Sequence, residues 1–292
     1  MDYELPDELT DEARKHLFVS DLDGTLLDSS SRVPVEASRL ISELSYRGAL
    51  ITVATARTPA TVDRLLQHTF TRLPAIVMTG AAMWDRRHRR YLSPHLLGDE
   101  AAAKAISVCR SCDVNPFIYT LAADAVIHVY HNGAMSAKES KFVTDRTGLP
   151  LKQFHLDEPV GLSATLPNVI FLLAMGALKD IYRLADKLRL MPELEVSAYP
   201  DNLQPQVGIL EIFAAGVSKA AAITALAKEI GAEKITVYGD NLNDIPMMRV
   251  ADYAVAVENA LPEVKAAATE VIGANTEEAV AQHILRTIRK YS

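Results

Sequence analysis

Cysteine is nearly missing from the 292-residue sequence: only Cys109 and Cys112 occur, in Val108-Cys109-Arg110-Ser111-Cys112-Asp113. A lone C-x-x-C offers half of the four ligands that a structural zinc needs, and no second pair completes them. A redox pair is the competing reading, but the stretch reads as helix, where this spacing places two small thiols on one face. No run of about 18 uninterrupted apolar residues is present, which argues against a membrane span. The segment Met1 to His16 is polar and acidic and lacks the basic start and apolar run of a secretory signal, so a cytoplasmic protein is expected. A positive excess is missing too. The net charge of −7, from 37 acidic against 30 basic residues, disfavours broad adhesion to nucleic acid or anionic membranes and leaves a local anion site open. Internal repeats and low-complexity segments are absent.

What is present is an ordinary globular balance, 49% hydrophobic against 23% charged, over a length of about two average domains. The first third alternates short β-branched runs with helical patterns, the grammar of a parallel sheet with crossover helices. Strands are expected at Leu17 to Ser20, Leu50 to Ala54 and Ala75 to Met78. Helices are expected from Pro34 to Gly48, and after Thr58-Pro59 as cap and first residue. The same grammar returns near the C-terminus. A helix from Ser218 to Ile230 is closed by Gly231, strands follow at Ile235 to Tyr238 and Tyr253 to Val257, and a last helix runs from Thr276 to Tyr291. Between these halves the pattern changes to paired strands, Phe117 to Thr120 and Ala125 to Tyr130, with helices between. The expected architecture is an α/β, parallel-sheet Rossmann-like core, residues 1–84 and 213–292, with an inserted α+β cap domain, residues 85–212. The basic run Arg86-Arg87-His88-Arg89-Arg90 lies between two strand-like segments and reads as a solvated hairpin turn, with a phosphate-rich partner as the alternative.

The chemistry concentrates at strand ends. In Phe18-Val19-Ser20-Asp21-Leu22-Asp23-Gly24-Thr25, two carboxylates follow an apolar strand at the end where open α/β sheets bind ligands. Alone, this segment fits a simple Asp-Gly turn equally well. A second acidic cluster, Gly239-Asp240-Asn241-Leu242-Asn243-Asp244, also follows a strand. If both strands share one sheet, Asp21, Asp23, Asp240 and, as a candidate fourth, Asp244 converge. Such a cluster would repel or protonate without a cation, and oxygen-only donors suit Mg²⁺. Asp244 precedes Ile245-Pro246, so a helix N-cap is a credible role and one that can coexist with a metal role. Thr55-Ala56-Arg57 and Ser218-Lys219 add hydroxyl and positive charge at another strand end and a helix start, each commonplace when taken singly.

Taken in order, these four segments resemble the haloacid dehalogenase superfamily of phosphatases, and the long insertion resembles that of its Cof-like branch with a large α+β cap. The resemblance runs from about residue 17 to about residue 290. It implies Asp21 as the nucleophile that carries an aspartyl-phosphate and Asp23 as the acid and base. It implies Mg²⁺ held by Asp21, the main-chain carbonyl of Asp23 and Asp240, with Asp244 in support. Phosphate oxygens would meet Thr55, the amides of Leu22 and Ala56, Lys219 and Asn243. Two positions depart from the family pattern: Ala56 replaces a common glycine and must accept a backbone open to a Cβ, and Thr79-Gly80 replaces an Asn-Gly pair.

The function expected is Mg²⁺-dependent hydrolysis of small phosphorylated metabolites, sugar phosphates foremost. Phosphomutase-type transfer and a non-catalytic phosphate-binding module are the alternatives. Expected partners are a small phosphorylated metabolite, no nucleic acid and no membrane. His128, Tyr130, His131 and Asn132 are candidate substrate contacts in the insertion, each equally readable as structural.

Overall fold

The computed structural model describes residues 5–157, 168–201 and 204–291, so residues 1–4 of the acidic N-terminal segment lie outside the described residues. The chain divides into two compact units, Met1–Leu92 with Ser218–Ser292, and Ser93–Val217.

The N-terminal part of the first unit contains β1 (His16–Ser20), α1 (Val35–Tyr46), β2 (Leu50–Val53), α2 (Pro59–Leu65), β3 (Ala75–Val77), β4 (Ala82–Asp85) and β5 (Arg90–Leu92). All five residues of β1 are buried, as expected of a parallel strand covered on both faces. Pro34 stands just before α1 with an extended backbone rather than inside its first turn, whereas Pro59 opens α2 after extended Thr58. The basic run does form the β4–β5 hairpin, but only part of it is solvated. Arg86 turns inward and donates to the carbonyl oxygens of Leu66 at 2.5 Å and Thr69 at 2.9 Å, while residues 87–90 are exposed. An arginine stem can be buried wherever its fork finds carbonyl partners, and a charge count does not show that.

The second unit contains α3 (Asp99–Ser111), β6 (Phe117–Leu121), β7 (Ile127–His131), α4 (Ala137–Thr144), β8 (Lys152–Leu156), β9 (Val169–Ala177), α5 (Leu178–Leu188), β10 (Leu194–Pro200) and β11 (Val207–Ala214). Its sheet runs β10-β11-β9-β6-β7-β8, antiparallel except for the β7–β8 pair. β7 begins two residues later than expected because Ala125 takes a left-handed backbone, φ 65°, in the turn before it. Helices α3 and α5 share one core with this sheet, including Ile106, Ile118, Leu172, Leu184 and Leu210. Cys109 belongs to that core, and burial pushes its thiol up to about 12, which makes it inert. Cys112 ends α3 instead and accepts from the Lys187 ammonium at 3.2 Å, so the two free thiols have different surroundings.

The C-terminal part returns to the first unit with α6 (Lys219–Ile230), β12 (Lys234–Gly239), α7 (Ile245–Val250), β13 (Tyr253–Val257), α8 (Pro262–Ala267), β14 (Glu270–Ile272) and α9 (Ala279–Arg289). Gly231, at φ 68°, closes α6, while α9 starts later than expected because Glu278 before it is left-handed, φ 59°. The sheet order is β14-β13-β12-β1-β2, every pair parallel. Sequence-distant β1 and β12 are neighbours, with Ser20 opposite both Tyr238 and Val53. Their carboxyl ends therefore align. Leu17, Phe18 and Val19 are fully buried, and each contributes about 1.5–3 kcal/mol to holding that alignment. Among the described residues, no helix is long and apolar enough to cross a membrane.

His16 ties this sheet to the chain end, with Nδ1 2.8 Å from the Tyr291 hydroxyl and Nε2 2.8 Å from the Thr236 hydroxyl. Burial, assisted by the charge of Lys234, lowers its pKa from the usual 6.5 to about 4. The unfolded chain then binds the extra proton first, so the His16 contribution to stability is full above about pH 6.5 and declines down to about pH 4. Urea unfolding should show stability falling across that window, with a shallower fall for His16→Gln. An unchanged fall in the variant would remove His16 as the cause.

Candidate active site

Asp21 follows β1 and its amide donates to the Tyr238 carbonyl at 2.9 Å, which fixes the residue against β12. Its side chain is buried and accepts from the Lys219 ammonium at 2.6 Å. Lys219 opens α6 and is itself 2% exposed, and it also donates to Asp244 Oδ1 at 2.8 Å. One buried cation thus bridges two carboxylates that come from different ends of the chain. Asp240 completes the group: Asp21, Asp240 and Asp244 each present an oxygen, all within 4.8 Å of one another.

The second oxygen of Asp244 faces backwards, accepting from the amides of Asp240 at 3.0 Å and Asn241 at 3.1 Å. Its carboxylate makes no cap bond to α7, so the helix-cap role gives way to bracing the loop that precedes it. Gly239 permits the close fit, because a Cβ there would lie 2.6 Å from the Asp244 Cβ. Asp240 Oδ1 accepts from the Thr25 hydroxyl at 2.9 Å, a restraint for which the sequence held only the weak signal of a threonine after Asp-Gly.

Asp23 does not join the carboxylate group. The backbone after Asp21 makes one wide turn, closed by the Leu27 amide on the Leu22 carbonyl at 2.8 Å, with Gly24 at φ 76°. A Cβ on Gly24 would fall 2.3 Å from Asp240 Oδ2, so both conformation and space require glycine. Within this turn, the half-exposed Asp23 carboxylate is held by Arg57 through two bonds of 2.6 Å. The sequence presented Arg57 as positive charge near the site, and the structure gives that charge a specific partner. The remaining candidates sit around the same sheet end. Leu22 and Thr55 are buried, Ala56 is half-buried and Asn243 is exposed. Ala56 has no left-handed backbone, so its Cβ is accommodated. Thr79 is left-handed, φ 58°, and its amide donates to the Thr55 carbonyl at 3.0 Å.

In the second unit, His128 and Tyr130 share one face of β7, where His128 Nδ1 lies 2.8 Å from His155 Nε2 and Tyr130 stacks on His155. His131 is buried against Phe117, and Asn132 follows the strand.

The electrostatics are those of a cluster with surplus negative charge. Burial pushes the Asp21 carboxyl up to about 8, with Lys219 opposing and Asp244 and Asp240 adding to the rise. Burial likewise raises Asp240 to about 6, against the Thr25 hydrogen bond. Burial works against the Lys219 charge, but Asp21 and Asp244 outweigh it and hold the ammonium above its ordinary range. Three hard carboxylate donors gathered within 4.8 Å form a donor set that fits a divalent cation of the Mg²⁺ type, whose charge would act in the same sense as Lys219.

Removing Lys219 should leave buried carboxylates without their counter-charge. Lys219→Met is expected to cost about 3–5 kcal/mol of stability in chemical denaturation, and adding Asp244→Asn should recover part of it. A loss below about 1 kcal/mol would contradict the bridging role.

Comparison with known proteins agrees with this geometry. Residues 18–284 match the haloacid dehalogenase-like hydrolase family. Over 282 residues the chain is 30% identical to the 5-amino-6-(5-phospho-D-ribitylamino)uracil phosphatase YwtE of Bacillus subtilis (strain 168), covering 90% of this chain and 95% of the relative. It is 23% identical over 275 residues to the pyridoxal phosphate phosphatase YbhA of Escherichia coli (strain K12), covering 90% and 95%. A solved haloacid dehalogenase-like hydrolase from Bacteroides thetaiotaomicron shares the fold at a TM-score of 0.73 and 22% identity, over 93% of this chain and 99% of that one. With its motifs on one parallel sheet edge and the match spanning both units, the chain belongs to the haloacid dehalogenase-like hydrolase family.

Proposed function

We propose that this phosphatase removes phosphate from small phosphorylated metabolites, sugar phosphates foremost, by passing the phosphoryl group through Asp21 with Mg²⁺ as its cofactor. The observation that carries the reading is the Lys219 ammonium set 2.6 Å from Asp21 inside a group of three carboxylates. A carboxylate approaching a phosphate dianion meets like-charge repulsion, and a site that places fixed positive charge beside its nucleophile removes that obstacle. The sugar-phosphate preference draws on the relative YwtE, whose name describes a substrate with its phosphate on a ribityl arm.

Asp21 attacks phosphorus and breaks the bond to the alcohol oxygen, forming an acyl phosphate. Asp23 gives its proton to the departing oxygen and then takes one from the water that hydrolyses the acyl phosphate. General acid help of this kind is worth about 10²–10⁴-fold for a poor leaving group. Lys219, the Thr55 hydroxyl, the Leu22 and Ala56 amides and Asn243 hold the phosphate oxygens. Mg²⁺ would be held by Asp21, the Asp23 main-chain carbonyl and Asp240, with Asp244 in support, and when bound it neutralises phosphoryl oxygens. Arg57 donates to both Asp23 oxygens in the structure, so one of these bonds opens when that oxygen carries the proton for the departing alcohol and re-forms once the proton has left.

Asp21→Asn should abolish phosphate release from a sugar phosphate while leaving phosphate binding largely intact, as measured by a colorimetric phosphate assay and calorimetry. Chelation of divalent ions should also stop release in the unaltered chain. Appearance of an isomeric ester instead of free phosphate would establish a mutase. No turnover in either form, with phosphate still bound, would establish a binding module.

A further inference from the structure

We infer that Asn259, backed by Asn275, is a positioning residue that keeps the turn bearing Asp23 in register with Asp240. The inference rests on the proposed acid role of Asp23. Asn259 lies in the turn after β13 and donates from Nδ2 to the Gly24 carbonyl at 2.7 Å. Its Oδ1 accepts from the Asn275 amide at 3.0 Å, and Asn275 Nδ2 donates to the Leu27 carbonyl at 2.6 Å. The wide turn of residues 22–27 is therefore gripped at two of its carbonyls by one pair of asparagines. Two residues beyond Asn259, the Leu261 amide donates to the Asp240 carbonyl at 2.9 Å. Asp240 in turn accepts from Thr25, inside the same wide turn.

These contacts close a ring of hydrogen bonds that runs from the Asp23 turn through residues 259–261 to Asp240 and back. Its placement tells what it does. Asp21 is fixed independently by the Tyr238 carbonyl and by Lys219. The Asp23 carboxylate is half-exposed, and its backbone neighbour is a glycine, the residue that restrains a chain least. A bond on the Gly24 carbonyl limits the rotation that would swing Asp23 away. Asn259 is itself exposed, so its contribution is directional rather than one of packing. Losing it should spare phosphoryl transfer to Asp21 from an ester whose leaving group needs no proton and slow it from an ester whose leaving oxygen must be protonated.

The test compares kcat/KM for an alkyl phosphate, whose alkoxide needs a proton, with that for p-nitrophenyl phosphate, whose phenolate does not. Asn259→Ala should lower the first by about tenfold or more and the second by no more than about twofold. Asp23→Asn run alongside should show the same discrimination, and larger. Because the ratio of two substrates is taken on one preparation, a partly unfolded sample cancels out. If Asp23→Asn discriminates and Asn259→Ala lowers both substrates equally or neither, the positioning role is overturned. If Asp23→Asn itself fails to discriminate, the acid role is overturned and the inference with it.

Discussion

Everything in the site depends on one buried ammonium. Lys219 sits between Asp21 and Asp244 with almost no access to water, so its attraction to them is weakly screened and their burial is tolerable only because it is there. The three residues come from the first strand end, the start of α6 and the loop after β12, so the contact also joins the N-terminal and C-terminal parts of the first unit. In the proposed mechanism the same charge that holds this fold together also serves the chemistry. A cation that offsets two carboxylates can also offset the oxygens of a phosphoryl group held among them.

The sheet brings these groups together. β1 lies between β12 and β2 in parallel register, so Asp21 leaves the sheet with Asp240 on one side and Thr55 on the other. Hydrogen bonds then fix the details. Thr25 holds Asp240, Asp244 braces the loop ahead of it, and Arg57 holds Asp23. The two acidic residues of the first motif thereby occupy different environments, one dry and beside a lysine, the other half-exposed and beside an arginine. Such a division allows similar carboxyls to take different roles.

The strands and their ends were legible from apolar runs such as Leu17-Phe18-Val19 and Ile235-Thr236-Val237, because a parallel strand buried on both faces carries little polar interruption. The pairing of β1 with β12 was legible only as a conditional, since nothing local in either strand names its neighbour. Lys219 gave almost no signal by itself, because a lysine opening a helix is ordinary until the helix is placed beside Asp21. The inward turn of Arg86 was missed for a similar reason: a run of basic residues reads as solvated, and the carbonyls of Leu66 and Thr69 that receive its guanidinium lie about 20 residues earlier. Asn259 and Asn275 were invisible. Turn asparagines obey no period, and their partners at Gly24 and Leu27 lie 235 and 248 residues away.

The most direct measurement traps the phosphoryl group on the chain. Acid quenching during turnover, hydride reduction of any acyl phosphate to the alcohol, and peptide mass mapping would report which carboxyl had carried it. The account predicts reduction at Asp21 alone, and only when substrate was present at the quench. Reduction at Asp23 or Asp240 under conditions of demonstrated turnover, or at no carboxyl, would contradict it.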